Sequence, residues 1–205
     1  AGSKGREFRD AHGHRHELPI EAHKQSRLEE LNRRLSDLVE SPAYQEFGLI
    51  GSALQFKFGQ TTVARQDMYE SIAPERSEAF LTRIRGLVSE LDPDGETFRI
   101  EDTGNDIVII VTRSNGDRDF NKGDGVGFID EVSGLDLEGP VIVCGDTRSD
   151  LSMVHYAAER SRDLRTVFVT EDKELQNDVK KAAPQSVFVE QPDVLVLALG
   201  QLGKE

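Results

Sequence analysis

A single cysteine, Cys144, rules out an internal disulfide and any metal site built on several thiolates, and it suits a reducing, cytoplasmic setting. Long apolar runs are also missing: none reaches the roughly 20 residues that span a bilayer, and the first residues show no secretory leader. Basic residues are in deficit. Against 38 Asp and Glu stand 25 Lys and Arg, a net charge of -13 with a pI near 4.9, which argues against nucleic acid or an anionic membrane surface as partner. An anionic small molecule stays open, because a metal ion with a few cationic side chains reverses the field locally. At 37% hydrophobic residues, a packed core is available to the 205-residue chain.

What is present falls into two grammars. Over residues 24–40, Leu28, Leu31, Leu35, Leu38 and Val39 recur at helical spacing, and Ser41-Pro42 closes that helix. Leu54, Phe56 and Phe58 then alternate with Gln55 and Lys57, and Gly59-Gln60 turns this strand into a second, Thr61–Arg65. Pro74 opens another helix, with Phe80, Ile84, Leu87, Val88 and Leu91 on its apolar side. Asp92-Pro93-Asp94-Gly95 ends it, and strands Thr97–Glu101 and Ile107–Val111 follow. This helix-strand-strand order, met twice, predicts one antiparallel sheet with helices on one face and the other face open. By period two, Gln55, Lys57, Arg99 and Glu101 oppose the apolar residues of their strands.

After residue 119 the pattern becomes Pro140–Cys144, Thr166–Val169 and Ser186–Val189, short continuously apolar strands separated by helical stretches near 149–160, 171–182 and 192–202. That alternation predicts a parallel sheet covered on both faces, with too few strands for a complete doubly wound domain. An incomplete sheet of this kind is expected to leave an apolar edge exposed.

Two motifs carry chemistry. Gly145-Asp146-Thr147-Arg148-Ser149-Asp150 follows the strand 140–144, and ligands of open parallel sheets bind at the carboxyl ends of strands. Asp146 and Asp150, one helical turn apart, suit Mg2+; the same residues also suit a helix-capping turn. Asn121-Lys122-Gly123-Asp124-Gly125-Val126 places a lysine at a helix start, either a phosphate site or a solvated loop. His12, His14, His16 and His23 are too irregularly spaced for a metal cluster and read as surface histidines in a polar loop. Arg65-Gln66-Asp67 suggests no role.

A lysine loop, a helix, an apolar strand and then Gly-Asp-x-x-x-Asp resembles the third and fourth motifs of haloacid dehalogenase (HAD) phosphatases. The paired helix-strand-strand units ahead of it resemble the cap of the trehalose-6-phosphate phosphatase branch. Ala1-Gly2-Ser3-Lys4-Gly5-Arg6-Glu7 matches that branch after its second motif. Ile100-Glu101-Asp102-Thr103-Gly104 and Val111-Thr112-Arg113 are similar to its late cap turn and strand end, with Thr103 and Val111 where the branch has Lys and His.

The resemblance implies an α/β fold: a partial HAD-type, Rossmann-like parallel core plus an α+β cap, divided as a core edge segment 1–17, a cap 18–118 and the C-terminal half of the core 119–205. It implies magnesium-dependent hydrolysis of trehalose 6-phosphate through an aspartyl-phosphate. Lys122 would neutralise the phosphoryl group. Asp146 would hold Mg2+, with Asp150 as ligand or support, and Thr147 would help position phosphate. Gln55, Lys57, Arg99, Glu101 and Arg113 would contact the sugar. The nucleophile motif Asp-x-Asp-x-Thr has no counterpart here. Asp92-Pro93-Asp94-Gly95-Glu96-Thr97 follows a helix, not a buried strand, and reads as a turn. The N-terminal half of the core is therefore an expected partner, and the isolated chain is expected to be inactive. A non-catalytic sugar-phosphate-binding module and a phosphatase for another phosphosugar are the competing readings.

Overall fold

The computed structural model describes residues 3–113 and 120–202; Ala1-Gly2 and the 118/119 boundary lie outside them. The chain is α/β and divides into two units, Ala1–Arg9 with Arg15–Phe120, and Asp10–His14 with Asn121–Glu205.

The first unit opens with a hairpin, β1 (Glu7–Arg9) and β2 (Arg15–Glu17). The sequence had suggested a loop here, because strands this short carry a single apolar residue, Phe8, and no alternation to detect. Phe8 stacks on His16 with ring centroids 4.9 Å apart. The Asp10 carboxylate shapes the turn by accepting the N–H groups of His12 and His14 at 2.8 and 2.9 Å.

Helix α1 (Ala22–Glu40) ends at Ser41, extended as a residue before proline must be. Strands β3 (Leu54–Lys57) and β4 (Gln60–Ala64) follow, then α2 (Pro74–Leu91), which has its proline in the first turn. Strands β5 (Phe98–Asp102) and β6 (Asp106–Val111) complete a four-stranded antiparallel sheet of order β3-β4-β6-β5. Leu28, Leu31 and Leu35 of α1 and Phe80, Leu81 and Ile84 of α2 pack with Val63, Ile107 and Ile109 into one core. Phe58 falls in the turn after β3, and Phe56 at the sheet edge is half-exposed, so the apolar alternation of that strand runs past the helices that cover its neighbours.

The second unit contains α3 (Lys122–Ser133), β7 (Pro140–Gly145), α4 (Leu151–Ala158), β8 (Asp163–Val169), α5 (Lys173–Ala182), β9 (Ser186–Val189) and α6 (Pro192–Leu202). Its strands form a parallel sheet of order β7-β8-β9. Strand β8 starts three residues earlier than the continuous apolar run, because Leu164 is buried while Asp163 and Arg165 are not. Val154, Phe168, Leu175 and Val179 form the core on one face of the sheet. The other face departs from the expectation of strands covered on both sides. Ile142 is 61% exposed and Val187 57%, and Cys144 is exposed as well. Among the described residues β7 is an edge strand, and its apolar run is packed on one side only.

Candidate functional site

Strand β7 runs into Gly145, and the chain then folds back over itself. A Cβ at position 145 would stand 2.6 Å from the Asp150 Cβ and 2.9 Å from the Phe168 ring, so a glycine is required at this approach. Thr147 and Asp150 cap the short 3-10 turn Arg148–Asp150 reciprocally. Asp150, 3% exposed, is the hub. Its Oδ2 accepts the N–H of Asp146 at 3.1 Å, the N–H of Thr147 at 3.0 Å and the Thr147 hydroxyl at 3.0 Å. Its Oδ1 accepts from the ammonium of Lys122.

Lys122 arrives from the start of α3. Asn121 caps that helix by accepting the Asp124 N–H at 3.0 Å, while the Asp124 carboxylate accepts the Asn121 N–H at 2.9 Å. Packing against α4 accounts for Gly123. Its N–H donates to Ser152 Oγ at 3.0 Å, and a Cβ there would stand 2.4 Å from the Ser152 carbonyl oxygen. Gly127 in turn lies under Tyr156, whose hydroxyl donates to Asp130 at 3.0 Å. These contacts seat the first turn of α3 against α4, which is what brings Lys122 to the Asp146–Asp150 loop.

The charges respond to this geometry. Burial pushes Asp150 up, but the Lys122 ammonium and the N–H groups of Asp146 and Thr147 outweigh it and hold the carboxyl at about 2. Asp146, exposed at its surface but partly desolvated by the loop around it, is displaced upward by that desolvation first and then by the neighbouring Asp150. A carboxyl held below its unfolded value contributes stability above that value and loses it as the pH falls through the folded one. For Asp150 that window runs from about pH 4 down to about pH 2, and the contribution at neutral pH is about 2 kcal/mol. Acid titration followed by urea unfolding should show this loss, and replacing Asp150 with Asn should remove it.

Among the described residues no three His, Cys, Asp or Glu side chains stand together as a metal cage. Both oxygens of Asp150 are engaged by donors, so its geometry suits support of the loop, while Asp146 is exposed at the strand end. Asp146 therefore offers a single exposed carboxylate at the carboxyl end of β7. Its upward-shifted carboxyl is the kind of group a divalent cation would relieve.

The remaining candidates lie in the first unit. Register places Lys57, Gln60, Ile110 and Arg99 in one cross-strand row, and Gln55, Thr62, Val108 and Glu101 in the next. Directly paired residues share a face, so Gln55, Lys57, Arg99 and Glu101 stand on the side opposite Phe98 and Val63. Adjacent strands are about 4.8 Å apart, so the two edges are separated by about 14 Å. This face is not open throughout, as the sequence had suggested. Gln60, Thr62 and Ile110 in its middle are buried, and Lys4 bonds Glu101 at 2.8 Å. The N-terminal turn that carries Lys4 shows no periodicity from which such a contact could be read. Arg99 folds back to donate to the Gly95 carbonyl at 2.7 Å. Arg113 follows β6 and lines a cavity of about 180 Å3 with Arg6, Thr112 and the Leu18–Glu21 segment.

Residues the sequence left without a role also matter. Lys24, buried on α1, donates to Thr112 Oγ1 at 2.9 Å and to the Arg113 carbonyl at 3.2 Å. Arg65 is buried and joins Ser77 at 2.9 Å, Asp102 at 2.7 Å and Glu78, tying β4 to β5 and α2. A charged residue next to a strand end carries no such signal by itself. His12 and His14 are exposed, as expected.

A protein family described as "Trehalose-6-phosphate phosphatase, C-terminal" matches residues 1–195. An alpha,alpha-trehalose-phosphate synthase [UDP-forming] 1 of Aphelenchoides avenae is 32% identical over 181 residues, covering 85% of this chain and 16% of that protein. A trehalose-phosphatase of Caenorhabditis briggsae is 29% identical over 178 residues, covering 84% of the chain and 41% of that protein. The structure of Aspergillus fumigatus trehalose-6-phosphate phosphatase, crystal form 3, aligns with a TM-score of 0.42 at 14% identity, over 87% of this chain and 66% of that one. The chain therefore spans about one sixth of the length of the synthases that it matches.

Proposed function

We infer a function from one premise: the chain belongs to the family of trehalose-6-phosphate phosphatase C-terminal regions. The function is magnesium-dependent hydrolysis of a phosphorylated disaccharide, trehalose 6-phosphate, carried out by a longer polypeptide to which this chain contributes the lysine loop, one metal carboxylate and the sugar-contacting sheet. The observation that carries it is the meeting of Lys122 and the Asp146 loop on the two oxygens of Asp150.

Lys122 keeps a third of its side-chain surface exposed while bonded to Asp150. It can donate to a phosphoryl oxygen without leaving that partner, and so offset charge that grows in the transition state. Asp150 holds the lysine and fixes the backbone at Asp146 and Thr147. The Thr147 hydroxyl, shared with Asp150 and 2.9 Å from Ser149 Oγ, lies beside the same loop. Asp146 would be one of the carboxylates holding Mg2+, which when bound neutralises phosphate charge. The attacking aspartate and its acid partner come, on this reading, from a strand added beside β7, whose exposed Ile142 and Cys144 leave room for covering segments. Cys144, free and exposed, is consistent with work in a reducing cytoplasm.

Glu101 tests the sugar part of the proposal. In a longer polypeptide with phosphatase activity, Glu101→Ala should lower kcat/KM for trehalose 6-phosphate by about tenfold, the worth of one charged hydrogen bond. Turnover of p-nitrophenyl phosphate should stay within about twofold. Equal loss on both substrates would remove Glu101 from sugar recognition, and failure to hydrolyse trehalose 6-phosphate at all would overturn the assignment.

A further inference from the structure

We propose that Lys4 is a positioning residue for substrate recognition: its ammonium holds the Glu101 carboxylate in one orientation at the sheet edge and leaves lone pairs free for substrate hydroxyls. The inference rests on the reading of Glu101 as a substrate contact, and it names the residue that makes that contact selective.

Lys4 lies in the short turn Ser3–Gly5, 97 positions ahead of Glu101. The segment that follows anchors this turn. Arg6, 3% exposed, donates to the Val111 carbonyl at 2.6 Å and sets its guanidinium over the Phe120 ring, 4.6 Å from the centroid. The Arg6 carbonyl accepts the Leu18 N–H at 2.8 Å. Between β3 and β4, Gly59 adopts φ 69°, and a Cβ there would stand 2.7 Å from Arg6 Nη1, so the arginine packs directly against the sheet. Two residues earlier, Lys4 itself has φ 59° and ψ 20°, in the left-handed region. Only 17% of its side chain is exposed, and its ammonium meets the two Glu101 oxygens at 2.8 and 3.1 Å.

Stability does not account for this arrangement. The Glu101 side chain is 48% exposed, and ion pairs open to water add little to folding. Left-handed backbone at a lysine works against folding. What the pair supplies is order. Strand β5 is an edge of the sheet, where an unpaired glutamate would sample several rotamers. The next residue, Asp102, is held by Arg65 at 2.7 Å, so the strand is tied down beside the ordered carboxylate.

The pair also keeps capacity for a ligand. A carboxylate has about four acceptor positions. Among the described residues Lys4 alone donates to Glu101, once to each oxygen, and the remaining positions suit hydroxyl donors. Ordering a loose side chain at the moment of binding weakens affinity by about two- to tenfold, and Lys4 removes that loss in advance.

The test is a double-mutant cycle in a longer polypeptide with phosphatase activity, with trehalose 6-phosphate and p-nitrophenyl phosphate as substrates. Lys4→Met keeps the length of the side chain and loses its charge. It should raise KM for trehalose 6-phosphate about three- to tenfold, with kcat and p-nitrophenyl phosphate turnover within about twofold of the parent. Lys4→Arg, which can donate to both oxygens, should bring KM back to within about twofold. In a Glu101→Ala background, Lys4→Met should cause no further loss, because the ammonium then has no carboxylate to orient. A parent-like KM in Lys4→Met, equal loss on both substrates, no rescue by arginine, or losses that add in the double variant would overturn the role of Lys4 and leave Glu101 in place. A Glu101→Ala enzyme without a loss specific to trehalose 6-phosphate would overturn the reading of Glu101, and the role of Lys4 with it.

Discussion

The 205 residues by themselves should release no phosphate from trehalose 6-phosphate or p-nitrophenyl phosphate, with or without magnesium, while a longer polypeptide that adds an Asp-x-Asp-x-Thr strand should hydrolyse both. The gap is large because phosphate monoesters are among the slowest compounds to hydrolyse, and their enzymes supply up to roughly 10²¹-fold acceleration. A lysine and a metal carboxylate stabilise charge, a contribution on the order of 10²–10³ per donor, and cannot stand in for a covalent route. Asp92 and Asp94 offer no substitute nucleophile in the described structure. Asp92 is buried and its carboxylate accepts the N–H groups of Thr97 and Phe98, both at 2.9 Å, along with Arg27 at 3.2 Å. It caps the end of α2 and accepts the first N–H of β5, as the turn reading expected. Colorimetric phosphate release is the measurement. Magnesium-dependent turnover by the 205 residues that vanishes in Lys122→Ala would contradict this account.

Replacing Asp150 with Ala should cost about 3–5 kcal/mol, the usual price of leaving a buried partner without its counter-charge. Here the loss is compounded: the ammonium of Lys122, the N–H groups of Asp146 and Thr147 and the Thr147 hydroxyl all end on this carboxylate. Whole domains are stable by about 5–15 kcal/mol, so the second unit should unfold at markedly lower urea concentration or fail to fold. Asp146→Asn, at an exposed side chain, should leave the transition within about 0.5 kcal/mol. The two aspartates of one motif thus separate by experiment: Asp150 through stability, Asp146 through magnesium. Urea unfolding followed by circular dichroism decides the first. An Asp150→Ala chain as stable as its parent would show that the hub is not what holds the loop.

Much of this was legible in the sequence, for physical reasons that differ from element to element. The helices α1 and α2 announced themselves because their buried apolar residues recur every three or four positions, and Pro74 marked a start within the residue observed. The antiparallel strands were found through alternation, with boundaries shifted by a residue where Phe58 continues the pattern into a turn. The Lys122 and Asp146 motifs were placed correctly on elements, at the start of α3 and the end of β7. What stayed hidden depends on through-space contact. Nothing in the order of residues reveals that Gly123 faces Ser152, that Arg65 meets Asp102, or that Lys4 reaches Glu101 across nearly a hundred positions. The continuous apolar run of β7 suggested burial on both sides, but a run reports what a strand can bury, and among the described residues the buried core lies on one face of this sheet.

The most direct test of the shared Lys122–Asp146 site is magnesium titration of phosphate release from trehalose 6-phosphate by a longer, active polypeptide carrying either Lys122→Ala or Asp146→Asn. The account predicts that Lys122→Ala lowers kcat by about 10²–10³ at saturating magnesium, and that Asp146→Asn raises the magnesium requirement by about tenfold or more. Wild-type turnover and an unchanged magnesium requirement in both variants would place the chemistry elsewhere in the molecule.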